Sequence, residues 1–185
     1  MSQVNRIRSQ LLVLRHLRGD DEALAQLVAM WERPLFYYIR RLVTTEEDAW
    51  DILQETWIRV VHGIGRLKAP ESFPCWIYRI ASNAASNFTR GNQRDRHLFD
   101  REMDPAMMEL SQDHFSAADA EAIHRGLQQL PVSQREVLTL FFLEEFSLEE
   151  ISSITGIPKG TVKSRLFYAK KALRNLMEKE GPGHE

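Results

Sequence analysis

The sequence predicts an all-α protein of two small helical domains joined by a flexible linker, the second built around a helix-turn-helix. Three observations predict it. Apolar residues recur at helical spacing through most of residues 20–176, capping residues punctuate them, and the periodicity fades between Gly91 and about Phe115. The expected boundaries are 1–90 for the first domain, 91–115 for the linker and 116–185 for the second.

Composition supports packed structure: of 185 residues, 43% are apolar and 27% charged. Met1–Arg18 holds four arginines and only a short apolar run at Leu11–Leu14, so it reads as neither a signal peptide nor a membrane span. A cytoplasmic protein without membrane insertion is expected. The single cysteine, Cys75, lies between Pro74 and Trp76 and reads as a buried structural thiol.

The first helix expected starts at an Asp20 cap and runs to about Leu42, burying Leu24, Leu27, Val28, Trp31, Leu35 and Ile39. Thr44 and Glu47 form a capping-box pattern for a second helix, with Ala49, Leu53, Thr56, Trp57 and Val60 inward and Gly63 and Gly65 ending it. After a loop at Lys68–Phe73, Pro74 suits the first turn of a third helix that buries Ile77, Ile80, Ala81, Ala84 and Phe88. Pro105 interrupts the linker. Ser116 caps the next helix, which stops before Pro131. Ser133 with Glu136 predicts a capping box for a helix burying Val137, Leu138, Leu140 and Phe141.

Ser147–Arg174 carries the most specific pattern. Ser147 and Glu150 predict a capping box opening a short helix over Leu148–Thr155, with Ile151 and Ile154 inward. Gly156 supplies a left-handed turn, Ile157 plugs the core, and Pro158 starts a second helix with Val162, Leu166, Ala169, Leu173 and Leu176 as its buried stripe. At about 100° per residue, Gly160, Lys163, Ser164, Phe167 and Lys171 point away from that stripe. The chain carries −2 overall, yet Lys159–Arg174 holds six basic residues and no acid. A face with small and polar residues near its start and cations further along suits bases and then phosphates of duplex DNA. A solvated amphipathic helix is the plainer alternative.

Trp76, Arg79, Asn83, Ser86 and Arg90 fall on one outward stripe of the third helix. An aromatic ring, cations and amides on one face suit an unstacked strand, and Glu71–Phe73 suits the wall of a base pocket. Packing of Trp76 against the second helix explains part of this equally well. Asp51, Gln54, Glu55 and Ile58 flank the outer side of the second helix, where Glu55 and Arg59 also make a simple i,i+4 pair.

Leu130–Pro131, Gln134–Leu138, Ser147–Ile151, Gly156–Pro158 and Gly160–Leu166 together resemble the C-terminal domain of extracytoplasmic-function sigma factors, a branch of the sigma-70 family. Asp48–Trp57, Phe73, Trp76–Ala81 and Asn83 resemble their N-terminal domain. The resemblance spans roughly Ala23–Leu176. It implies an alternative sigma factor that binds core RNA polymerase and directs promoter-specific initiation, with no cofactor or metal and an inhibitory anti-sigma partner. Under it, the upstream (−35) duplex falls to Lys159, Gly160, Thr161, Lys163, Ser164, Arg165, Phe167, Tyr168, Lys171 and Arg174. The melted −10 strand falls to Phe73, Trp76, Arg79, Asn83, Ser86 and Arg90, and core polymerase to Asp51, Gln54, Glu55 and Ile58. Tyr168 and Lys170 stand where many relatives have arginine, and tyrosine cannot make the bidentate guanine contact that arginine makes.

Two other classes remain open from the residues. A stand-alone helix-turn-helix regulator would bind duplex DNA without polymerase. An enzyme would need more than the Asp48, Asp51 and Glu55 carboxylates on one helix, which lack matching ligands from a second helix.

Overall fold

The computed structural model describes residues 3–92 and 126–180, with side chains described for 3–89 and 126–176. The expected linker lies outside the described residues except for 91–92, which close the last turn of a helix; the Ser116 cap also lies outside them. The described chain is helical: α1 (Gln3–Leu17), α2 (Asp21–Arg40), α3 (Glu46–Gly63), two 3₁₀ turns (Ile64–Arg66 and Pro70–Ser72), α4 (Phe73–Asn92), α5 (Val132–Leu138), a π-helical turn (Thr139–Leu143), α6 (Leu148–Thr155) and α7 (Lys159–Glu180). Residues 126–129 are helical as well and lead into α5.

Capping chemistry sets several of these starts. The Asp20 carboxylate accepts from the Glu22 N–H at 3.1 Å and opens α2, which continues through Pro34 despite the missing donor there. The cap of α3 is Thr45, one residue later than the expected Thr44, and it accepts from the Asp48 N–H at 3.1 Å. In α2 the buried row is Ala23, Leu27, Trp31, Leu35, Tyr38 and Ile39. Leu24 and Val28, expected inside, are only half-buried.

The predicted capping box at Ser133 and Glu136 does not form. Pro131 takes the cap position without a side-chain bond, and Glu136 is buried elsewhere, accepting from Tyr38 Oη at 3.0 Å and Ser82 Oγ at 2.6 Å. Helix α1, for which the sequence reading gave no element, packs on α2 through Leu12 and Val13. It also buries Ser9, whose hydroxyl accepts from Trp31 Nε1 at 3.0 Å.

The two helical halves pack on each other, with α6 lying along α4. Much of the contact is polar. Besides Glu136, Glu144 accepts from Tyr78 Oη at 2.6 Å, Glu150 pairs with Arg6, and Arg135 Nη1 donates to the Arg41 carbonyl at 2.8 Å. Phe146 sets its ring edge-on to Tyr78 at 5.0 Å and lies under the Arg6 guanidinium at 5.3 Å. Hence α4 is covered on a second side: Tyr78 and Ser82 are buried, while Ile80 and Phe88, expected in the core, are half-buried.

Candidate nucleic-acid interface

Local chemistry builds the C-terminal surface. Ser147 and Glu150 form the capping box in full: the Ser147 hydroxyl accepts from the Glu150 N–H, and the Glu150 carboxylate accepts from the Ser147 N–H. Gly156 ends α6 at φ 72°, a left-handed conformation that suits glycine. The Ser152 hydroxyl donates to the Ile157 carbonyl at 2.6 Å and fixes the turn. Val162, Leu166, Ala169 and Leu173 are buried, so the opposite face of α7 turns outward.

Outside that stripe Lys159, Lys171 and Arg174 are exposed, and Gly160, Thr161, Lys163, Ser164, Arg165, Phe167 and Tyr168 are half-buried. The structure therefore brings all ten residues of the expected −35 set onto one helix, in graded exposure. Lys159 pairs with Glu149, and Phe167 meets Tyr168 edge-on at 5.5 Å. Ser164 Oγ donates back to the Thr161 carbonyl at 3.0 Å. That bond is local and exchangeable.

The stripe on α4 is less uniform. Arg79 and Asn83 are exposed and Ser86 half-buried, while the Arg90 side chain lies outside the described residues. Phe73 corrects the expectation: it is fully buried, edge-on to Trp31 at 6.2 Å, so it supports the surface from below and does not form it. Trp76 is half-buried and lies so close to Gly63 that a Cβ there would come within 2.9 Å of its ring. Packing against the end of α3 thus accounts for one edge of the indole. Asp51, Gln54, Glu55 and Ile58 are all exposed on α3, with Glu55 paired to Arg59 at 2.6 Å. The sequence reading missed that Trp50 (43% exposed) and Val61 (51%) extend this face into the row Trp50, Gln54, Ile58 and Val61. Their i, i+4, i+8 and i+11 spacing was the available signal.

Among the described residues no three potential metal-ligating side chains come together. Burial, foremost, and the neighbouring Glu150 carboxylate push the Cys75 thiol up to about 12, so it stays protonated at neutral pH.

Comparison with known proteins follows the same division. Residues 27–95 match the family model for sigma-70 region 2, and residues 120–173 match that for sigma-70 region 4. The RNA polymerase sigma-H factor of Pseudomonas aeruginosa is 31% identical over 182 residues, covering 92% of this chain and 94% of the relative. The ECF RNA polymerase sigma-E factor of Escherichia coli is 30% identical over 183 residues, covering 93% and 95%.

The chain belongs to the extracytoplasmic-function (ECF) sigma factors. As a sigma factor it binds core RNA polymerase and directs transcription initiation at promoters. The SigV sigma factor of Bacillus subtilis is 33% identical over 138 residues, 75% of this chain and 81% of that one. Two solved structures share the fold. CnrH, in complex with the cytosolic domain of CnrY, superimposes with a TM-score of 0.68 at 22% identity, covering 94% of this chain and 99% of that one. The sigma factor RpoE of Bartonella quintana, in complex with the anti-sigma factor NepR, gives 0.65 at 21% identity over 83% and 96%.

Proposed function

We propose that this ECF sigma factor divides promoter recognition between its halves. Helix α7 reads the −35 duplex, α4 holds the melted −10 strand, and the outer face of α3 docks on core polymerase. The observation that carries the reading is the outward face of α7, where Lys163, Lys171 and Arg174 stand clear of the buried stripe behind a capped α6 and a left-handed turn at Gly156. Lys163 and Ser164 stand where base edges are reachable, and Lys171 and Arg174 stand further along for phosphates. On α4, Arg79 and Asn83 offer a cation and an amide to an unpaired strand, with the free edge of Trp76 beside them. On α3, carboxylates beside exposed Trp50, Ile58 and Val61 suit a partner that is basic and partly apolar.

The protein works in the cytoplasm without bond-making chemistry of its own, which belongs to the polymerase. The two solved relatives are complexes with CnrY and with the anti-sigma factor NepR, and an anti-sigma protein is the expected inhibitor here also. The deciding experiment is transcription by core polymerase, with and without this chain, on a genomic promoter library, followed by start-site mapping. A defined set of start sites that needs both components is expected. Tight duplex binding with no polymerase-dependent transcript would instead mark a stand-alone regulator.

A further inference from the structure

Helix α1 is apolar on both faces. Inward, it buries Ser9, Leu12 and Val13. Outward, Val4, Ile7, Leu11 and Leu14 are 71%, 61%, 56% and 36% exposed, and Leu17 extends the row at 41%. A row of this kind is a surface feature that a solvated helix does not need. The 3-4-3 spacing from Val4 to Leu14 is the two-residue seam of a heptad, about 20 Å long when Leu17 is included. Arg8 and Arg15 each follow the second seam position of their heptad, where coiled-coil helices carry the charges that select a partner.

Charge narrows the occupant. Residues 1–19 hold four arginines and no acid. Arg6 turns inward to Glu150 and Arg15 pairs with Asp20 at 2.6 Å, but Arg8 and Arg18 are exposed and make no ion pair with any described residue. A second copy of α1 would bring arginine against arginine in either direction with no carboxylate to meet it. A membrane surface asks for a broad apolar face, whereas this seam is narrow and bordered by Asn5, Arg8 and Arg15, with no aromatic anchor.

We propose that α1 is a docking helix for an acidic amphipathic helix of a partner protein, packed along Val4, Ile7, Leu11 and Leu14 with carboxylates flanking its own seam. None of these residues is among those assigned to DNA or to polymerase.

The probe is a fluorescent synthetic peptide of three heptads, with Leu and Ile at the seam and Glu on both flanks, titrated by anisotropy against the full chain. A matching peptide with Lys flanks is the control. One-to-one binding of the Glu peptide is expected, at least ~10-fold tighter than the Lys peptide and lost by ~10-fold or more in Ile7→Gln/Leu11→Gln. Arg8→Glu, which keeps the apolar seam, should weaken the Glu peptide and strengthen the Lys peptide. All substituted side chains are exposed, and circular dichroism with thermal melting verifies the fold of each variant. Failure of the parent to bind the Glu peptide, or binding unchanged by either variant, overturns the proposal. So does seam-dependent dimerisation in sedimentation, or seam-dependent binding to vesicles of anionic lipid without any response to the peptide.

Discussion

Lys171 and Arg174 stand exposed on α7 beyond the residues proposed to meet base edges, so their proposed contacts are with phosphate and carry no sequence information. Replacing either by Ala should weaken binding to every duplex and lower the salt dependence by about one unit of slope. Lys163→Ala should instead alter which upstream sequence is preferred, at a cost of roughly 1–3 kcal/mol on the parent's own site. Titration against a randomised duplex library at two salt concentrations separates the two classes, and equal losses across all sequences for both would remove the distinction. On α4, Asn83 is exposed while Phe73 is fully buried, so the two differ in what their loss reports. Asn83→Ala should impair promoter melting in permanganate footprints and leave stability unchanged, because its proposed partner exists only after strand separation. Phe73→Ala should lower stability by about 3–5 kcal/mol in urea unfolding, the usual cost of removing a buried ring.

Elements whose two faces differ in polarity were legible in the sequence, and elements without that contrast were not. Helix α7 shows its stripe because one side is apolar and the other basic. Helix α1 gave no signal because Leu12 and Val13 face inward while Val4, Ile7, Leu11 and Leu14 face out, which leaves no polar side to set the phase. Capping followed the same logic of local sufficiency. Ser147 and Glu150 need only each other, and their box forms as expected. Ser133 and Glu136 have the same spacing, yet Glu136 is claimed by Tyr38 and Ser82, which lie far away in sequence. No local pattern reports such partners. The most specific site elements, the turn and stripe of the helix-turn-helix, were therefore readable, whereas the burial of Phe73 and the placement of Trp76 against Gly63 depend on packing between elements. The α6 signals also make a stability prediction. Ser147→Ala should cost about 1 kcal/mol through loss of the cap, and Gly156→Ala a similar amount because its φ of 72° strains any side chain. Urea unfolding of the full chain measures both.

Across the whole molecule, the polar contacts between halves give closure a pH dependence with opposing contributions. Burial works to raise the Glu150 carboxyl, but bonds from Arg6 and Ser147 outweigh it and hold it below the usual range, so its contribution is present at neutral pH and lost as pH falls through that lowered value. Burial raises Glu144 despite its bond from Tyr78, so its contribution is greatest in acid and is lost as pH rises through the raised value. Glu150→Gln should therefore flatten the acid side of a stability profile, and Glu144→Gln the side towards neutrality. Closure itself sets a stronger condition on function. The described residues, 3–92 and 126–180, packed as one body have a radius of gyration of about 15 Å, whereas elements centred near −35 and −10 lie about 25 base pairs apart, roughly 85 Å along the duplex. The packed molecule cannot reach both. Contact with both elements requires the halves to part, breaking the bonds of Glu136 to Tyr38 and Ser82 and of Glu144 to Tyr78. These are polar contacts, whose loss to water costs less than exposure of a purely apolar interface of the same extent. Dyes placed at Glu22→Cys on α2 and Asn175→Cys on α7, in a Cys75→Ala background, report the separation by energy transfer from exposed positions. Transfer should fall when core polymerase is added and stay low on promoter DNA. Glu136→Gln, which weakens the central acceptor, should shift that fall to lower polymerase concentration. Transfer that stays constant through open-complex formation would mean that the halves engage the promoter while packed, and the division of −35 and −10 contacts between α7 and α4 would be wrong.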